Sequence, residues 1–123
     1  MHAPAKPAAR MERRTLARVT EPILLPPGAR AVLTAPDFVA RGLAAAERDP
    51  QRRWILRRPR GIRRDFVKTV IDKAGDQERW MLLQDDDTRH SYIDEVGGDH
   101  QAIWLLRQPR KIRESYVADV IDA

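Results

Sequence analysis

From Trp54 the apolar positions run in a fixed order. A cluster of Trp54, Ile55 and Leu56 is followed by a basic turn, then by Ile62, Phe66 and Val70 at intervals of four, with Val67 and Ile71 alongside. An interval of four is the period of a helix that buries one stripe. The order returns fifty residues later: Trp104 to Asp122 agrees with Trp54 to Asp72 at 11 of 19 positions, namely Trp, Leu, Arg, Pro, Arg, Ile, Arg, Val, Val, Ile and Asp. A weaker copy starts at Trp80, placing Leu82, Arg89, Tyr92, Ile93 and Val96 where the first has Leu56, Arg63, Phe66, Val67 and Val70. Three units result, residues 49–75, 76–98 and 99–123, each opening with an aspartate (Asp49, Asp76, Asp99) shortly before its tryptophan.

The second part of each unit reads as a helix. Pro59 and Pro109 suit its first turn, Asp85, Asp86 and Asp87 cap it in the middle unit, and Gly97 and Gly98 stop it there. The first part is open to two readings. Its aspartate-led starts favour a helix, whereas the consecutive apolar residues would also suit a short buried strand. The favoured fold is therefore mainly α, a row of three short helical hairpins of about 24–27 residues, with short βα repeats as the alternative. So small a unit cannot bury its own stripe, so neighbours must stack, and the tryptophans are expected to anchor that stack.

Before the units, "TAPDFVARGLAAAER" predicts a helix over 34–48 with Thr34 as its N-cap and Asp37 three places on. Its "DFV" echoes Asp65 to Val67 and suggests a worn half-unit. Residues 1–20 read as a disordered basic arm and 21–33 as an extended, proline-rich connector with Ile23, Leu24 and Leu25 docked on the domain.

Composition narrows the chemistry. The 123 residues contain no cysteine, which excludes disulfides and thiolate metal sites and fits the cytoplasm. "PILLPPGARAVL" is broken by Pro26, Pro27 and Gly28, so no membrane span or signal peptide is expected. His2, His90 and His100 have no ligand spacing, and no phosphate-loop or zinc-protease motif occurs. The Asp85–Asp87 run is expected to cap a helix rather than to hold a cation. No cofactor, metal or catalytic residue is assigned, and the chain is expected not to be an enzyme.

Charge is the informative feature. Residues 1–48 carry a net +4, residues 49–75 +6, residues 76–98 minus 5 and residues 99–123 zero, within a total of +5. Two readings compete. In the first, a nucleic acid is bound electrostatically by the arm and by Arg52, Arg53, Arg57, Arg58, Arg60, Arg63, Arg64 and Lys68. In the second, the acidic middle unit answers the basic first one, and the chain is a protein-docking module, a homo-oligomer or the subunit of a complex, facing an acidic partner. Arg63, Arg89 and Arg113 recur nine residues after each tryptophan. They form either a ladder of donors along one edge or, as favoured, structural ion pairs. Arg58, Gln84 and Gln108 in the turns are candidate edge contacts, and Val117, Val120 and Ile121 on the last helix a candidate interface.

Overall fold

The computed structural model describes residues 19–23 and 28–123. Among them there is no strand, so the first part of every unit is a helix and the βα alternative falls. Eight α-helices follow in order: α1 Ala29–Leu33, α2 Asp37–Ala46, α3 Pro50–Leu56, α4 Arg60–Phe66, α5 Gln77–Leu82, α6 Asp86–Glu95, α7 His100–Leu106 and α8 Arg110–Tyr116. Among the described residues, turns of three residues join α1 to α2, α3 to α4, α5 to α6 and α7 to α8, giving four helix–turn–helix hairpins. Helices α4 and α8 run on through π-helical turns, Val67–Ile71 and Val117–Ile121, where the Asp72 and Asp122 N–H groups reach back five residues to the Val67 and Val117 carbonyls at 2.8 and 2.7 Å.

Short polar side chains set the helix starts. Asp49 accepts from the Gln51 and Arg52 amides at 2.8 and 3.1 Å, Asp76 from Arg79 at 3.1 Å and Asp99 from Ala102 at 3.0 Å. Pro59 and Pro109 occupy the cap positions of α4 and α8, and Asp85 holds the same place in α6, accepting from the Thr88 amide at 2.8 Å. Gly97, at φ 82, turns the chain out of α6.

The Asp85 cap predicts a pH effect. The Thr88 amide, with the Thr88 hydroxyl and then Arg89, holds the Asp85 carboxyl below its ordinary pKa against partial desolvation. A group lowered on folding contributes stability that is present above its unfolded pKa and lost as pH falls through the folded one. An Asp85→Asn chain keeps a capping oxygen that does not titrate. Below about pH 4 the native chain is therefore expected to lose stability relative to Asp85→Asn in acid denaturation. Parallel curves for the two would dismiss this account.

The first hairpin departs from expectation. Ala29–Leu33, assigned to an extended connector, is helical, and Thr34 closes that helix instead of opening the next: its hydroxyl donates to the Arg30 and Ala31 carbonyls at 3.0 and 3.2 Å. Pro36 caps α2. Asp37 is the first residue of α2, the place held by Arg60, Asp86 and Arg110 in the later hairpins, so its match is not with Asp65. Residues 29–46 form a helix–turn–helix of their own, with Ala31 five residues before Pro36 as Trp54 is before Pro59. The expected arm lies outside the described residues except for Val19 and Thr20, and the expected docking of Leu24 and Leu25 lies outside them too. Val19, Thr20 and Ile23 are buried: the Val19 amide donates to Glu78 Oε2 at 3.2 Å and the Tyr92 hydroxyl to Thr20 Oγ1 at 2.7 Å.

The middle of the core is a reciprocal exchange between the second and third hairpins. Trp54 Nε1 donates to Ser91 Oγ at 3.0 Å, and Trp80 Nε1 donates to Asp65 Oδ2 at 2.8 Å; each acceptor lies eleven residues after the other tryptophan. One residue further on, Tyr92 meets Trp54 edge-on at 5.1 Å and Phe66 meets Trp80 edge-on at 5.1 Å. The two indoles touch at 6.4 Å. Both tryptophans are consequently buried.

Candidate functional site

The recurring arginines are interior. Arg63, Arg89 and Arg113 are at most 4% exposed, so the reading of them as a ladder of donors on an edge fails, and Arg63 drops out of the set able to meet a nucleic acid. Each first donates Nε to the turn between the two helices of its own hairpin, to the carbonyls of Arg58, Gln84 and Gln108 at 2.9, 3.1 and 2.9 Å. Each then crosses to a neighbour. Arg63 donates to the Leu33 and Ala35 carbonyls at 2.7 and 2.8 Å and pairs with Asp37 at 2.5 Å. Arg89 donates to the Leu106 carbonyl and pairs with Asp86, while Arg113 donates to the Leu82 carbonyl, so the third and fourth hairpins exchange arginines as the second and third exchange tryptophans. Burial, with Arg89 close by, lowers the pKa of Arg113.

Much of the remaining charge of the second hairpin is also engaged. Arg52 pairs with Glu47 at 3.2 Å, and Arg53 donates to the Glu47 carbonyl at 3.2 Å. Arg58 lies over the Trp54 ring at 5.1 Å and pairs with Glu95 at 2.7 Å, where Arg57 joins it at 3.4 Å. Those two pairs join the basic second hairpin to the acidic third. In the turns, Arg58, Gln84 and Gln108 each donate back to the carbonyl of their own tryptophan, at 3.1, 3.0 and 3.0 Å. Of the last helix's candidate interface, Val117 is buried inside the chain, and Val120 and Ile121 are half-buried with Ile121 against the core. Val117 is therefore withdrawn from that interface.

Of the eight predicted cations, Arg57, Arg60, Arg64 and Lys68 are exposed; Arg57 leans toward Glu95, and the other three lie together. Spaced by four, they line one side of α4 and its π-helical turn at about 6 Å intervals. With Arg30 they line a groove of about 620 Å³. Arg30 comes from α1 and was not singled out in the sequence; nothing local marks it, since only the fold brings it beside α4. It grips Asp72 through two hydrogen bonds of 3.0 and 2.8 Å, which raises its own pKa and lowers that of Asp72. Arg60 donates Nε to the Thr34 carbonyl at 3.0 Å. The other carboxylate of the lining, Asp65, accepts from Trp80. Such a stripe can bind a row of anionic oxygens.

Among the described residues no cluster of three potential metal ligands occurs, and no helix is long and apolar enough to cross a membrane. Comparisons with protein-family models, with curated proteins and with solved structures find no match to this chain.

Proposed function

We propose that the four hairpins are variants of one unit stacked into a non-enzymatic binding module, and that the module takes a nucleic-acid backbone along Arg60, Arg64, Lys68 and Arg30. One observation carries this reading: the cations of the second hairpin that the fold leaves exposed at four-residue spacing fall on a single groove. Neutralising phosphates there releases counterions, so binding should weaken with salt. The net charge of +5 favours the encounter. A second reading, a protein-docking module, draws support from the Arg57 and Arg58 pairs with Glu95, which spend basic charge on internal register.

A salt titration with labelled duplex and single-stranded oligonucleotides separates the two. For the Arg60→Gln, Arg64→Gln, Lys68→Gln chain, the slope of log affinity against log salt on duplex is expected to shrink by about 2 to 3. Arg57→Gln, outside the groove, should leave it nearly unchanged. Absence of binding at low salt, or a slope untouched by the triple change, would remove the nucleic-acid reading and leave protein docking.

A further inference from the structure

The faces by which the hairpins meet alternate. The first and second join through Arg63, the second and third through Trp54 and Trp80, and the third and fourth through Arg89 and Arg113. The fourth hairpin has thus used its arginine face and retains its tryptophan face. There Trp104 is 58% exposed, against 0% for Trp54 and 4% for Trp80, and its indole N–H meets no acceptor among the described residues. Trp104 and Tyr116 line an apolar groove of about 440 Å³.

We propose that this face pairs with the same face of a second copy of the chain, in the geometry by which the second and third hairpins already pair. The observation that selects a second copy is self-complementarity. Eleven residues after Trp104 stands Ser115, the residue type that accepts the Trp54 indole in the third hairpin, and next to it Tyr116, the type that meets Trp54 edge-on. A single face therefore carries the donor, the acceptor and both ring positions. Charge agrees. Between the second and third hairpins, Arg57 and Glu95 pair, three and fifteen residues after their tryptophans. The fourth hairpin has Arg107 and Asp119 at those two places, both exposed and neither with a partner among the described residues. In a two-fold pair, Arg107 of each copy faces Asp119 of the other, twice. An isologous contact of this kind closes on itself and stops at two. It does not involve the basic groove on α4, so it stands or falls separately from nucleic-acid binding.

The test is charge reversal read by sedimentation and light scattering on the full chain. The native chain is expected to give a concentration-dependent mass approaching twice 14.1 kDa. Arg107→Asp alone and Asp119→Arg alone should each weaken association about tenfold or more, because each puts like charges opposite one another at two places. Mixed together they should form a one-to-one pair at near-native affinity, since both contacts are then restored. Trp104→Ala should give a monomer with an unchanged helical circular dichroism spectrum. A native chain that stays monomeric at millimolar concentration would overturn the proposal. A dimer indifferent to Trp104→Ala, or single reversals that do not rescue each other, would place the contact elsewhere and overturn it equally.

Discussion

Replacing Arg63 by alanine is expected to cost about 3–5 kcal/mol, a large share of the stability of a domain this size. The side chain is fully buried and meets the carbonyls of Arg58, Leu33 and Ala35 as well as the Asp37 carboxylate. Removing it leaves these acceptors without their donor in the seam between the first two hairpins, where each unmade hydrogen bond costs about 1–3 kcal/mol. Lysine is not expected to restore the loss. Its single nitrogen cannot span acceptors that the planar guanidinium reaches from three nitrogens at once. Urea denaturation followed by circular dichroism measures the effect. A loss under about 1 kcal/mol would mean that water replaces the donor, and that the seam does not depend on it.

Tryptophan gives the second large effect, and a contrast within one molecule. Trp54→Ala empties a site with no exposure and unseats the Tyr92 and Trp80 rings together, a loss of about 3–5 kcal/mol. Trp104→Ala removes the same residue type from the corresponding place in a stretch that matches at 11 of 19 positions. In solutions dilute enough to hold the chain as a monomer it is expected to cost less than about 1 kcal/mol, because most of that ring already faces water. Paired denaturant titrations decide it. Similar losses at the two positions would mean that Trp104 is covered within the monomer.

That contrast also marks the limit of what the chain discloses locally. The helix starts at Asp49, Asp76 and Asp99, the stop at Gly97 and the interior use of the recurring arginines were legible because each follows from residues close in sequence or from the spacing itself, but the ion pairs expected of those arginines form at Arg63 and Arg89 only, and Arg113 is held by carbonyls. The first hairpin was not. It has no tryptophan, and Thr34 followed by Asp37 imitates a capping box whose hydroxyl is in fact spent on the turn before it. The candidate site was half legible. Arg60, Arg64 and Lys68 were within the predicted set, but the partners that engage Arg57, Arg58 and Arg63 lie 26 to 38 residues away in the chain, and no pattern in the sequence announces them. The same reason hid Arg30.

The arginine seams have a consequence for how such a chain can vary. Across hairpins they are addressed mostly to main-chain oxygens: Arg63 to Leu33 and Ala35, Arg89 to Leu106, Arg113 to Leu82. A contact made with the backbone asks only that a helix end at the right place, whatever side chains it bears. A neighbour can then exchange nearly all its letters and still be accepted, as the alanine-rich first hairpin is. The tryptophan seam is the opposite, a lock that inspects side chains. A chain built with both can drift at one junction while staying selective at the next.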